Sequence, residues 1–80
     1  MGLDFIELVV EIEDSFHVSF DDLDLEKVVT VGDLYSLLLQ HIEEDDYTWK
    51  KFQHIFIEKV GVNLEDVRFE KRIINDLKID

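Results

Sequence analysis

Side chains able to hold a metal or attack a reactive centre are few in this chain and badly spaced for either task. His17, His41 and His54 lie too far apart to form a metal signature and read as surface or half-buried histidines. Asp22-Leu23-Asp24-Leu25-Glu26 resembles the opening of a calcium loop, in which alternate carboxylates supply hard oxygen ligands. Lys27 stands where such a loop needs glycine, and Asp33 stands where it needs a closing glutamate. Weak divalent binding to the acids is the most this pattern predicts. The absence of cysteine excludes a thiolate nucleophile, a disulfide framework and a cysteine-held metal. With no nucleophile beside a base and no phosphate loop, the residues predict a protein that is not an enzyme and has no metal site.

Carboxylates are the abundant chemistry. The 80 residues carry 20 acids against 8 Lys and Arg, a formal charge of -12, so the field repels phosphate backbones and attracts basic surfaces. Nucleic acid and anionic membranes are excluded as expected partners. In Gly2 to Phe16, Asp4, Glu7, Glu11, Glu13 and Asp14 interleave with Leu3, Ile6, Val9, Val10, Ile12 and Phe16. That repeat predicts a helix with one apolar and one acidic side, able to pack on a core while offering carboxylates to a basic partner. Taken one at a time, each acid is also what a solvated surface position would carry.

Length and composition predict a single domain over residues 1–80 with a modest core. The apolar runs are short, and no basic segment followed by an apolar one opens the chain. Neither a membrane span nor a signal peptide is expected, and a cysteine-free acidic chain suits the cytoplasm.

Three longer helices and one short one should position the acids. The first is expected from about Leu3 to Ser15, weakly capped by Gly2. His17-Val18-Ser19-Phe20 reads as an extended loop pinned by Phe20. One or two helical turns capped by Asp21 or Asp22 come next, then a helix capped by Thr30, with Val31, Leu34, Leu37, Leu38 and Ile42 on its core side. After the acidic break Glu43 to Asp46, Asp46 is the expected cap of a helix from Tyr47 to Val60, lined by Trp49, Phe52, Ile55 and Phe56 and ended by Gly61. Val62 to Asp80 reads as a long structured loop. These elements predict an all-α fold, a small four-helix bundle.

Leu3-Asp4-Phe5-Ile6-Glu7-Leu8-Val9 followed by Glu13-Asp14-Ser15-Phe16 resembles the second helix of acyl carrier proteins, the helix that partner enzymes recognise in that family. The acidic turn around Asp22 and Glu26 and Val28-Val29-Thr30-Val31 are similar to the family's third and fourth helices. Lys59-Val60-Gly61-Val62 with Glu65-Asp66-Val67, then Ile74-Asn75-Asp76-Leu77 through Asp80, resembles its first helix and the loop that leads to its modification site. Nearly the whole chain is covered, with the halves exchanged. The resemblance therefore implies a circularly permuted carrier: 1–42 as family helices two to four, 43–46 as the joining segment, and 47–80 as family helix one and its loop. Such bundles have antiparallel terminal helices that a few residues can join, and exposed loops tolerate new ends. A fragment spanning two carrier domains, completed by domain swapping, is the other arrangement that would give this order.

The family holds acyl groups as thioesters on 4'-phosphopantetheine attached to the serine of an Asp-Ser-Leu motif. Here the slot falls at Gly2, flanked by Asp80, Leu3 and Asp4, so the resemblance implies a scaffold with no arm and no cofactor. Met1 immediately before that slot suits a chain reopened there by design. By the same resemblance Asp4, Glu7, Val10, Glu13, Asp14, Asp22 and Glu26 are the partner-binding positions. The implied partners are basic surfaces of acyl-transfer and chain-elongation enzymes of fatty-acid metabolism and of phosphopantetheinyl transferase. Ile6, Val9, Ile12, Phe16, Val31, Leu34, Leu38, Phe52, Phe56 and Leu77 are candidates for the core and for the walls of an acyl-accepting cavity. An acidic helical interaction module without a carrier role, monomeric or a swapped dimer, is the competing expectation.

Overall fold

The structure of the protein, a computed structural model, describes residues 3–80. Met1 and Gly2, and with them the expected cap and the serine slot, lie outside the described residues. The chain is all-α, with α1 Leu3–Phe16, α2 Asp22–Leu25, α3 Val31–Leu39 and α4 Thr48–Val60, followed by a single 3-10 turn at Leu64–Asp66.

The helix boundaries follow local chemistry. Thr30 accepts from the Asp33 amide while the Asp33 carboxylate accepts from the Thr30 amide, a reciprocal cap that satisfies two otherwise orphaned donors at the start of α3. Asp21 caps α2 by accepting from the Leu23 amide. The expected cap of α4 differs from the observed one. Tyr47 occupies the cap position and no side chain caps the helix; Asp45, not Asp46, shapes the turn before it, accepting from the Tyr47 amide at 2.8 Å and from the Thr48 hydroxyl at 3.0 Å, and the helix starts at Thr48. Gly61 ends α4 with φ +72°, a left-handed conformation that lacks a Cβ penalty only in glycine. α3 stops at Leu39, one turn before Ile42.

α1 and α4 pack antiparallel. Lys51, near the start of α4, donates to the Ser15 carbonyl at 2.8 Å, and Lys59, near its end, meets Glu11 at 3.2 Å. Their inner faces meet in a core containing Leu8, Ile12, Leu34, Leu38, Phe52 and Phe56, all fully buried. The expectation about which face of α1 turns inward needs correction. Phe5, Leu8, Val9 and Ile12 are buried, whereas Leu3, Ile6 and Val10 are outside. The buried stripe is rotated because Phe5 and Leu8, both large, bury more apolar area than Ile6 and Val10 could.

Residues 62–80 wrap the bundle. Val31 and Gly32 donate to the carbonyls of Lys71 and Phe69, and Ile73 donates to that of Val29, around an antiparallel bridge between Thr30 and Arg72. A Cβ on Gly32 would sit 3.0 Å from the Phe69 carbonyl oxygen, so only glycine permits this approach without a shift. Phe69 then lies edge-on to Trp49, which joins Tyr35 and Phe52 in an aromatic cluster. Tyr35, buried, donates to Glu44 and so ties down the segment between α3 and α4. Burial and this acceptor push the Tyr35 hydroxyl well above the ordinary tyrosine range.

Candidate functional site

α1 exposes an apolar stripe made of Leu3, Ile6 and Val10, at 77%, 46% and 47% exposure, which the helical repeat aligns on one face. The carboxylates of Asp4, Glu7 and Asp14 border it, all exposed. α2 continues the surface with Leu23, 66% exposed, between Asp22 and Glu26. A cleft of about 370 Å³ separates the two helices. Its apolar walls include Ile6, Val9, Val10, Phe20 and Leu25, and its carboxylates are Glu13, Asp22 and Glu26.

Glu13 differs from the other acids of this face. Its carboxylate accepts from the Phe20 amide at 2.7 Å, fixing the loop between α1 and α2 and with it the buried Phe20 ring. Its side chain is thereby fixed along the wall of the cleft. Asp4, Glu7, Asp14, Asp22 and Glu26 form no ion pair among the described residues, and Lys27 is the one Lys or Arg before Lys50 in the chain. Glu11 faces the other way, where its bond to Lys59, with help from Ser15, holds its carboxyl below the usual range. The face therefore combines unpaired carboxylates with exposed aliphatic side chains, able to meet a basic surface electrostatically and to bury apolar area against it.

Asp80 and the start of α1 come together. The Phe5 amide donates to the Asp80 carbonyl at 2.7 Å, so the C-terminal residue satisfies a donor in the first turn of α1. Ile79 is buried, and its amide donates to Ile73. Residues 79 and 80 are thereby pinned to the bundle. Lys78 adopts φ +59° to turn Ile79 inward.

A second cleft, of about 230 Å³, lies on the other side of α2. Phe5, Leu25, Val28, Val29, Ile73 and Ile74 form its walls, and Glu26, Arg72 and Asn75 its polar parts. Arg72 and Asn75 carried no signal in the sequence, because only the folding of residues 62–80 against α2 brings them to Leu25. Of the proposed cavity walls, Val31, Leu34, Leu38, Phe52 and Phe56 fill the core instead of lining this cleft.

Among the described residues no group of three or more His, Asp or Glu is arranged to hold a metal. His41 stacks at a tilt on Phe20 and His54 pairs with Glu58 along α4. Among the described residues no helix is long and apolar enough to cross a membrane. No protein-family model matches the sequence, and no solved structure matches the fold. The class defined by fold and surface is a small, strongly acidic helical bundle with an exposed apolar stripe bordered by carboxylates.

Proposed function

We propose that this chain is a permuted acyl-carrier-type scaffold that docks, through α1 and α2, on basic surfaces of enzymes of acyl metabolism in the cytoplasm, with no serine to hold the phosphopantetheine arm. The observation that carries the reading is the stripe of Leu3, Ile6 and Val10, left exposed beside Asp4, Glu7, Asp14, Asp22 and Glu26. Aligned on one face and bordered by acids that form no ion pair, the three aliphatic side chains make a contiguous apolar strip of the kind that marks interaction surfaces. The bond between Phe5 and Asp80 supports the permuted order, because it joins the two segments that lead into and out of the family's modification site.

Binding to a basic carrier-handling enzyme tests the docking. Affinity should fall steeply with added salt, and Asp22→Lys with Glu26→Lys should weaken it by about tenfold or more. Val10→Asp should weaken it at every salt concentration, because it removes apolar contact. Salt-independent binding, or none, would sink the carrier reading. Intact mass after incubation with coenzyme A and phosphopantetheinyl transferase tests the slot: Gly2→Ser should gain the arm and the unaltered chain should not.

A further inference from the structure

Trp49 of α4 and Phe69 of the wrapping segment meet at a right angle. Their ring centroids lie 4.7 Å apart with planes at 86°, so each side of the contact is a corner with aromatic surface on both walls. Tyr35, buried, fills the inner corner at 4.9 Å from Trp49 and 5.6 Å from Phe69. The outer corner is open. Phe69 is 54% exposed and Trp49 half-buried, and both line a groove of about 380 Å³ in which Tyr35 takes no part. Gln53, Val67, Arg68 and Glu70 complete it, so the groove has no residue in common with the surface of α1 and α2.

The charges along the groove select the sign of a ligand. Glu70 is exposed and forms no ion pair among the described residues. Arg68 is turned to the 3-10 turn, where its Nε donates to the Glu65 carbonyl at 2.8 Å, and Gln53 donates to the Val67 carbonyl. Aromatic faces and a carboxylate both attract a cation, on a molecule whose net charge of -12 draws cations from solution.

The kind of cation follows from competition within the molecule. A primary ammonium is strongly hydrated and donates hydrogen bonds, and the 20 acids of the chain offer it oxygens all over the surface. It has no reason to choose this groove. A trimethylammonium group donates no hydrogen bond, so the scattered acids attract it by charge alone, whereas the aromatic corner also covers its methyl groups. Methylated lysine keeps its charge, and its aliphatic stem can lie along Val67. A choline phosphate would bring a second anion to Glu70 against the same field.

We propose that this groove binds the trimethylammonium head of a trimethylated lysine side chain, with Trp49 and Phe69 as its two aromatic walls and Glu70 as its counter-charge. The site lies apart from the docking face and does not depend on the docking role, since the chain by itself suffices to test it.

Trp49 is the single tryptophan of the chain, so its fluorescence and its indole NMR signal report on the groove directly. The probes are Nα-acetyl-trimethyllysine amide, the same molecule without the methyl groups, its uncharged isostere with carbon in place of the ammonium nitrogen, and phosphocholine. Trimethyllysine should give a saturable change, with the unmethylated and the uncharged molecules each at least about fivefold weaker. Phosphocholine should also bind more weakly. Phe69→Leu keeps an apolar side chain but removes the π face, and should weaken trimethyllysine at least about fivefold. Glu70→Lys should do the same while leaving the melting temperature within a few degrees, because the side chain is exposed. Arg68→Gln should tighten binding about twofold by removing a like charge. The site is overturned by the absence of a saturable change at Trp49, or by undiminished binding in either Phe69→Leu or Glu70→Lys. Equal affinity for the uncharged isostere overturns recognition of the cation, and equal affinity for unmethylated lysine overturns the need for methylation. Tighter binding of phosphocholine overturns lysine as the source of the group. Should Phe69→Leu not fold, Glu70→Lys decides the location.

Discussion

His17 is a non-glycine residue in left-handed conformation, φ 57°, one position beyond the end of α1. Glycine is favoured at that position because a Cβ crowds the following carbonyl. His17→Gly should raise stability by about 0.5–1 kcal/mol in urea denaturation, and a decrease would mean the imidazole makes a contact that outweighs the strain. The start of α3 depends on the pair Thr30 and Asp33. Thr30→Ala should cost about 1 kcal/mol, as removal of an N-cap oxygen does. The amides of Thr30 and Val29, both donating to Asp33, hold its carboxyl below the ordinary aspartate range. A depressed carboxyl stabilises the fold above its unfolded pKa and loses that contribution as pH falls through the lower folded value. Asp33→Asn should therefore flatten the acid limb of the stability curve below about pH 4, which thermal melts at stepped pH would read.

At the scale of elements, α1 makes two separable contributions. Phe5, Leu8, Val9 and Ile12 face the core, and Leu3, Ile6 and Val10 face outward. Leu8→Ala should cost about 2–5 kcal/mol because a fully buried side chain leaves a cavity. Ile6→Ser should change stability by no more than about 0.5 kcal/mol while weakening docking. Chemical denaturation of both variants beside a binding assay separates the faces. A large stability loss in Ile6→Ser would mean the outward stripe is structural. α2 is only one turn long and has a single buried residue, Leu25, so its position depends on its neighbours more than on its own propensity. Glu13, by holding the Phe20 amide, fixes the loop that delivers α2 to the edge of both clefts.

Over the whole molecule, self-repulsion is the dominant electrostatic effect. Charges of one sign on so small a surface oppose compaction, and their screening should raise the melting temperature as salt increases. At low salt the melting temperature should also rise as pH falls from 7 towards the isoelectric point near 4.4, where net charge vanishes. Below that point it should fall, because Asp33, Asp45 and Asp76 have carboxyls held low by backbone amides of Thr30, Tyr47 and Arg72 and lose those interactions on protonation. A monotonic decline from pH 7 downward would show that the acids are compensated in ways the ion pairs do not reveal.

Helix positions and their ends were legible in the residues because capping and hydrophobic repeat are local: Thr30 before α3, Asp21 before α2 and Gly61 after α4 each act within a few residues. The acidic side of α1 was legible for the same reason. Its apolar side was not, since Leu3, Ile6, Val9 and Val10 fit a stripe as well as Phe5, Leu8, Val9 and Ile12 do, and the choice was made by packing against α4. Likewise Phe5 is distant in sequence from Arg72 and Asn75, and meets them only because residues 62–80 fold back over α2 and α3. Local chemistry determined the elements and their charge; long-range burial decided which side chains were left outside to form a surface and a cleft.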